Sequence, residues 1–233
     1  MILHDTPYGE IYDAIKDEEP KVAFAMRKQE ERDTRALIRQ GRLGGLIWNE
    51  YTIPASHNRY LLVTEMRSDG LRVFTHSEPL LSLTDDGGKK MYMRATTASG
   101  TGRNGDEITD RRLEVFTAHC LHRFRERTGL PSTLPTERVL WQLLKANVNI
   151  AKIHHELVSR DSREYGCAYQ SAAGLFLGTE VDCSDRKGGA FCAVRYNTFV
   201  SNELLKRGQV KHLLPKDLLA CLDENCGLND HLE

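Results

Sequence analysis

Residues 43–53 read LGGLIWNEYTI, and the hydrophobic pattern changes character there. Before this stretch, GEIYDAIKD and, after Pro20, KVAFAMRKQEERDTRALIRQ place apolar residues at helical spacing and close on Gly41. From it onward the period falls to two. RYLLVTEMR, GLRVFTHS, PLLSLTD and KKMYMRATT follow, separated by Ser-Asp-Gly, Ser-Glu-Pro and Asp-Asp-Gly-Gly turns. Residues 44–97 therefore predict an antiparallel meander behind a helical pair broken at Pro20.

Working outward, TASGTGRNGDEITD contains Gly100-x-Gly102-x-x-Gly105. That spacing cradles a dinucleotide only where a helix opens directly after it in a βαβ unit. Polar residues 106–112 lead instead into the strand-like LEVFT, so a linker or hairpin tip is expected. Thr117 caps the next helix, and Gly129 with Pro131 ends it. A second helix is expected from Pro135 to about Lys152. Strands return in YGCAYQS, GLFLGTEV and AFCAVRYNTFVS, the last two joined by a hairpin around CSDRKGG, before two short helices in NELLKRGQVKHLL and PKDLLACLDEN. The expected fold is α+β: N-terminal helices and an antiparallel meander, then two helices packed on a C-terminal antiparallel sheet. It divides into residues 1–110, of open role, and 111–233, which carry the chemistry.

Composition bounds the function. With 40% apolar and 28% charged residues, the 233-residue chain reads as globular. No apolar run approaches the roughly 20 residues that span a bilayer, and no signal peptide is legible, so no membrane partner and a cytoplasmic location are expected. The six cysteines form no Cys-x-x-Cys pair. A net charge of −1 supplies no long-range field for nucleic acid, so any basic surface is local. Between residues 91 and 144 every cation is Arg, the planar fork that suits phosphate and carboxylate.

Within that region, FTAHCLHRFRERTGL (116–130) gathers His119, His122, Arg123, Glu126 and Arg127 on one helical face and Ala118, Leu121, Phe124 and Thr128 on the other. A His-x-x-x-Arg-x-x-x-Arg helix, a second helix and an antiparallel run ending near a Thr resemble the small toxin-type ribonucleases grouped as the barnase, EndoU, colicin and RelE-like superfamily. The likeness rests on His119, Arg123 and Arg127, on GLFLG (174–178) and on Thr198 in RYNTFVS, about half of the chain. It implies a metal-independent endoribonuclease of toxin or phage type, with no cofactor, RNA as substrate, and an antitoxin or host protein as partner. His119 is the candidate general base or acid, Arg123 and Arg127 bind the scissile phosphate, and Thr198 orients. His122, Arg195 and Ser201 are candidate substrate-binding residues. The chain's acidic balance departs from the basic toxins.

Each assignment has a structural competitor. A helical His commonly packs, Arg123 and Arg127 can pair with Glu126, and Thr198 is an ordinary strand residue. A transition-metal site built from His119, Cys120, His122 and His154-His155-Glu156 ranks lower, because the ligands must come from afar. The alternative of another class is a non-enzymatic binding or inhibitor module, a phage or mobile-element protein that sequesters a host protein or a small ligand.

Overall fold

The computed structural model describes residues 1–41, 45–68, 73–84, 87–101, 107–146, 151–159, 161 and 163–204. The elements are α1 (Tyr8–Arg39), β1 (Leu46–Thr52), β2 (Arg59–Ser68), β3 (Val73–Thr84), β4 (Lys90–Thr101), β5 (Glu107–Phe116), α2 (Ala118–Arg127), α3 (Thr136–Ala146), β6 (Ala151–Ser159), β7 (Glu164–Ser171), β8 (Gly174–Ser184) and β9 (Ala190–Ser201). The strands follow one nine-stranded order, β1-β2-β3-β4-β5-β9-β8-β7-β6. This corrects the expected arrangement: a single N-terminal helix leads into the sheet, and the C-terminal strands join it through β9 beside β5 rather than forming a sheet of their own.

Two compact units divide the chain, Met1–Ala118 with Asp182–Ala193, and His119–Val181 with Val194 onward. In the first, α1 crosses Pro20 unbroken, contrary to the expected pair. Pro20 cannot donate to the Lys16 carbonyl, a real loss, but buried residues lie on both sides of it (Ile11, Tyr12, Glu18, then Val22, Asp33, Leu37), so packing holds the two halves in one rod. That face meets Tyr60, Leu62, Leu81, Leu83, Met93, Leu113, Val115 and Phe191 in the core. β2 is buried on both faces from Tyr60 to Met66, which is why its sequence runs YLLV instead of alternating.

GLRVFTHS and PLLSLTD, expected as separate strands, are one strand, β3. Pro79 survives inside it because β3 pairs with β2 there (Pro79 opposite Leu62) but with β4 only from Leu81 to Thr84. The missing N–H needs no ladder partner on the second side. The expected 97–110 loop is mostly ladder too, Thr97 opposite Arg111 through Thr101 opposite Glu107, and only its tip, with Gly102 and Gly105, lies outside the described residues.

Buried polar groups in this unit are satisfied. Glu18 accepts from Asn58 (2.9 and 3.1 Å) and from the Tyr60 hydroxyl (2.7 Å), and Asn58 Oδ1 accepts the Ile2 amide. Burial and the Glu18 carboxylate both raise the Tyr60 phenol. Arg94 of β4 bridges Glu114 of β5 (2.5 Å) and Glu78 of β3.

In the second unit, α2 ends at Gly129 (φ 67°), where the Leu130 and Gly129 amides bond back to the Arg125 and Glu126 carbonyls. This is the left-handed closure that glycine alone accepts without strain. α3 is Thr136–Ala146; of the residues expected to continue it to about Lys152, 147–150 lie outside the described residues and Ala151 and Lys152 open β6 instead, so that His154-His155-Glu156 lie on a strand and the C-terminal run has four strands, not three. Phe124 meets Phe199 edge-on (5.0 Å) and stacks near Phe176 (6.2 Å), with Tyr169 and Tyr196 completing an aromatic core. Of the two expected tail helices, Asn202–Leu204 are described, as a short 3-10 helix, and the rest lies outside the described residues.

Candidate functional site

The amphipathic reading of α2 places Cys120, Leu121 and Phe124 in the interior. Burial pushes the Cys120 thiol up to about 12, leaving it protonated and inert at neutral pH. On the polar face His119 is exposed. His122 Nε2 lies 3.1 Å from Glu126, and Arg123 Nη1 donates to the same carboxylate at 2.8 Å. The Arg123 hydrogen bond is the main reason that Glu126 sits below the usual carboxylate range, with His122 adding to it. Arg127 turns away from this group and donates to the Phe199 carbonyl of β9.

On β9, Arg195 is exposed, Thr198 half-buried and Ser201 buried. A side chain on Gly178 would meet Arg195 and Tyr196, and one on Gly174 would meet Val200 and Ser201. Tyr196 and Phe199 both reach Phe176. The strand meets the C-terminal half of α2, at Phe124 and Arg127, whereas His119 stands in the first turn. Eight residues of helix separate His119 from Arg127, about 12 Å along the axis. His122 and Arg123 thus form one group with Glu126, His119 stands exposed on the same helix, and Arg127, which also helps to lower Glu126, bonds to the strand that contains Thr198.

A second constellation, in the first unit, was not anticipated. Between α1, β5 and the turn joining β8 to β9 lies a cavity of about 410 Å³ lined by Tyr12, Lys16, Arg111, Arg186, Lys187 and Gly189, with Asp13, Asp17 and Asp185. That volume falls within the range of small-ligand sites. The turn is held by its own Asp185, whose Oδ1 accepts the amides of Gly189 (2.7 Å) and Lys187 (2.9 Å) and whose Oδ2 accepts Arg111 Nη2 (2.5 Å). Arg111 Nε donates to Tyr12 OH at 3.2 Å, its guanidinium lies over the Tyr12 ring (5.1 Å), and that ring stacks on Phe191 at 4.3 Å. Arg186 forks onto Asp17 (2.5 and 2.6 Å), and its amide donates to Asp13 at 2.9 Å. The Arg111 hydrogen bond leads the depression of the Asp185 carboxyl, and Arg186 that of Asp17.

The sequence did carry one signal for this place. Asp13 and Asp17 stand at i and i+4 on α1, where like charges repel unless a cation from elsewhere comes between them. The CSDRKGG turn supplies that cation, but nothing in the sequence pairs residues 17 and 186. Among the described residues no cluster of three His, Cys, Asp or Glu side chains is arranged to hold a metal ion, and no helix is long and apolar enough to cross a membrane. No family model matches the chain, and neither a curated protein nor a solved structure matches it.

Proposed function

We propose that the chain is a binding module for a small polar ligand, with its site in the cavity between α1, β5 and the β8–β9 turn. The observation that carries this reading is the cavity itself: ligand-sized, charged, and framed by a turn that Arg111 and Asp17 fix in place before any ligand arrives. A preformed site loses little entropy on binding. Thermal unfolding of the wild type and of Lys16→Gln/Lys187→Gln tests it against small anionic, neutral and cationic compounds. One class should raise the wild-type midpoint and leave the variant's unchanged. If no compound stabilises the wild type, the module reading fails.

The ribonuclease reading keeps one specific support. His119 is exposed with Arg123 one turn along, so a phosphate approaching that face meets a proton-transfer group and a guanidinium together. Arg127 and Thr198 then act apart from them, and the antitoxin or host partner implied by the resemblance belongs with this reading. In chelator, the wild type should cut RNA to a 2′,3′-cyclic phosphate end, and His119→Ala should slow it about 10²- to 10⁴-fold with an unchanged melting temperature. Absence of any cleavage by the wild type would remove this reading.

A further inference from the structure

Resting on the reading of the cavity as a ligand site, we infer that its ligand is a tetrahedral phosphate-type anion held by Lys16, Lys187 and Arg111. Polar atoms of the lining divide unequally between satisfied acceptors and available donors. Both oxygens of Asp17 are taken by Arg186, and both oxygens of Asp185 by Arg111 and two backbone amides. Among the described residues, Asp13 Oδ1 is the one oxygen of the three carboxylates with no hydrogen bond, while its Oδ2 accepts the Arg186 amide. A metal ion needs several such oxygens and would find one.

Donors are in surplus. Among the described residues the Lys187 ammonium makes no hydrogen bond and is attracted electrostatically by Asp17, and Lys16 holds the surface pair with Glu19 at 3.1 Å. Arg111 spends Nε on Tyr12 and Nη2 on Asp185, leaving the N–H groups of Nη1. Gly189 makes room for that nitrogen: a Cβ there would stand 2.4 Å from Nη1. A planar carboxylate is best matched by one intact guanidinium fork, and this fork is already divided. Three donors on three side chains instead suit an anion that offers three or more oxygens, as a phosphate monoester or inorganic phosphate does.

The experiment is amide-resolved NMR of the full chain, titrated at constant ionic strength with inorganic phosphate, phenyl phosphate, acetate and a primary amine. Both phosphates should shift Lys187, Gly189 and Arg111, and phenyl phosphate separates an ester ligand from the free ion by binding more or less tightly. Lys16→Gln/Lys187→Gln should weaken phosphate binding on the order of 10- to 100-fold while leaving resonances elsewhere in place, as expected for the loss of two charge-assisted contacts. If acetate or the amine moves these resonances and phosphate does not, the ligand class is wrong and the cavity reading stands. If nothing moves them, both fall. Undiminished phosphate shifts in the double variant would also overturn the assignment.

Discussion

At the scale of single residues, the carboxylates of the first unit respond to pH in opposite directions. Asp33 on α1 is raised, chiefly by burial, against hydrogen bonds from Gln29 (2.7 Å) and Asn49 (3.4 Å) that lower it. The folded chain keeps this proton where the unfolded chain has released it. Its contribution is therefore complete below the ordinary Asp value of about 3.9 and is lost as pH rises through the raised folded value. Asp33→Asn removes the charge and preserves the shape. Urea midpoints measured from pH 4 to 7 should show the variant more stable than wild type at the upper end, with a flatter slope between. A variant that tracks the wild-type slope would place the pH dependence elsewhere. Asp17 and Asp185 are lowered, so their contribution is present above the unfolded value and disappears as pH falls through the depressed folded one.

At the scale of elements, the turn between β8 and β9 is fixed to α1 by an exchangeable pair. Reversing the charge with Arg186→Glu should set three carboxylates together and lower the unfolding midpoint, and adding Asp17→Arg should recover most of the loss. The pair is half exposed, so the recovered coupling should be small, read from a double-mutant cycle in low salt and shrinking in high salt. Additive single effects would show that the fork contributes nothing. This element was half legible in sequence: CSDRKGG announced a hairpin, and the structure places it between Ser184 and Ala190. Its partner on α1 was not legible, since pairing across nearly the whole chain leaves no local periodicity. The same contrast runs through the fold. Amphipathic α2, strands β1, β2 and β4 and strands β7–β9 follow local pattern. The unbroken passage of α1 through Pro20, the merged β3 and strand β6 depend on what packs or pairs beside them, and propensity alone favoured the opposite reading in each case. For the candidate site, the face of α2 was legible from spacing, whereas the commitment of Arg127 to the Phe199 carbonyl, 72 residues away in sequence, was not.

At the scale of the whole molecule, a net charge of −1 conceals strongly local fields. Many acidic and basic side chains pair along α1 and the sheet, while Lys16, Lys187 and Arg111 together line one cavity. A ligand bound there stabilises the folded chain by mass action, in proportion to the logarithm of its concentration once above Kd. The most direct test is equilibrium unfolding in urea with millimolar phenyl phosphate at constant ionic strength, for the wild type and for Lys16→Gln/Lys187→Gln. At these concentrations the general salting effect of phosphate is small. The unfolding free energy of the wild type should climb logarithmically with ligand while that of the variant stays level. A level wild type, or an equal climb in both proteins, would contradict the assignment of the cavity as the binding site.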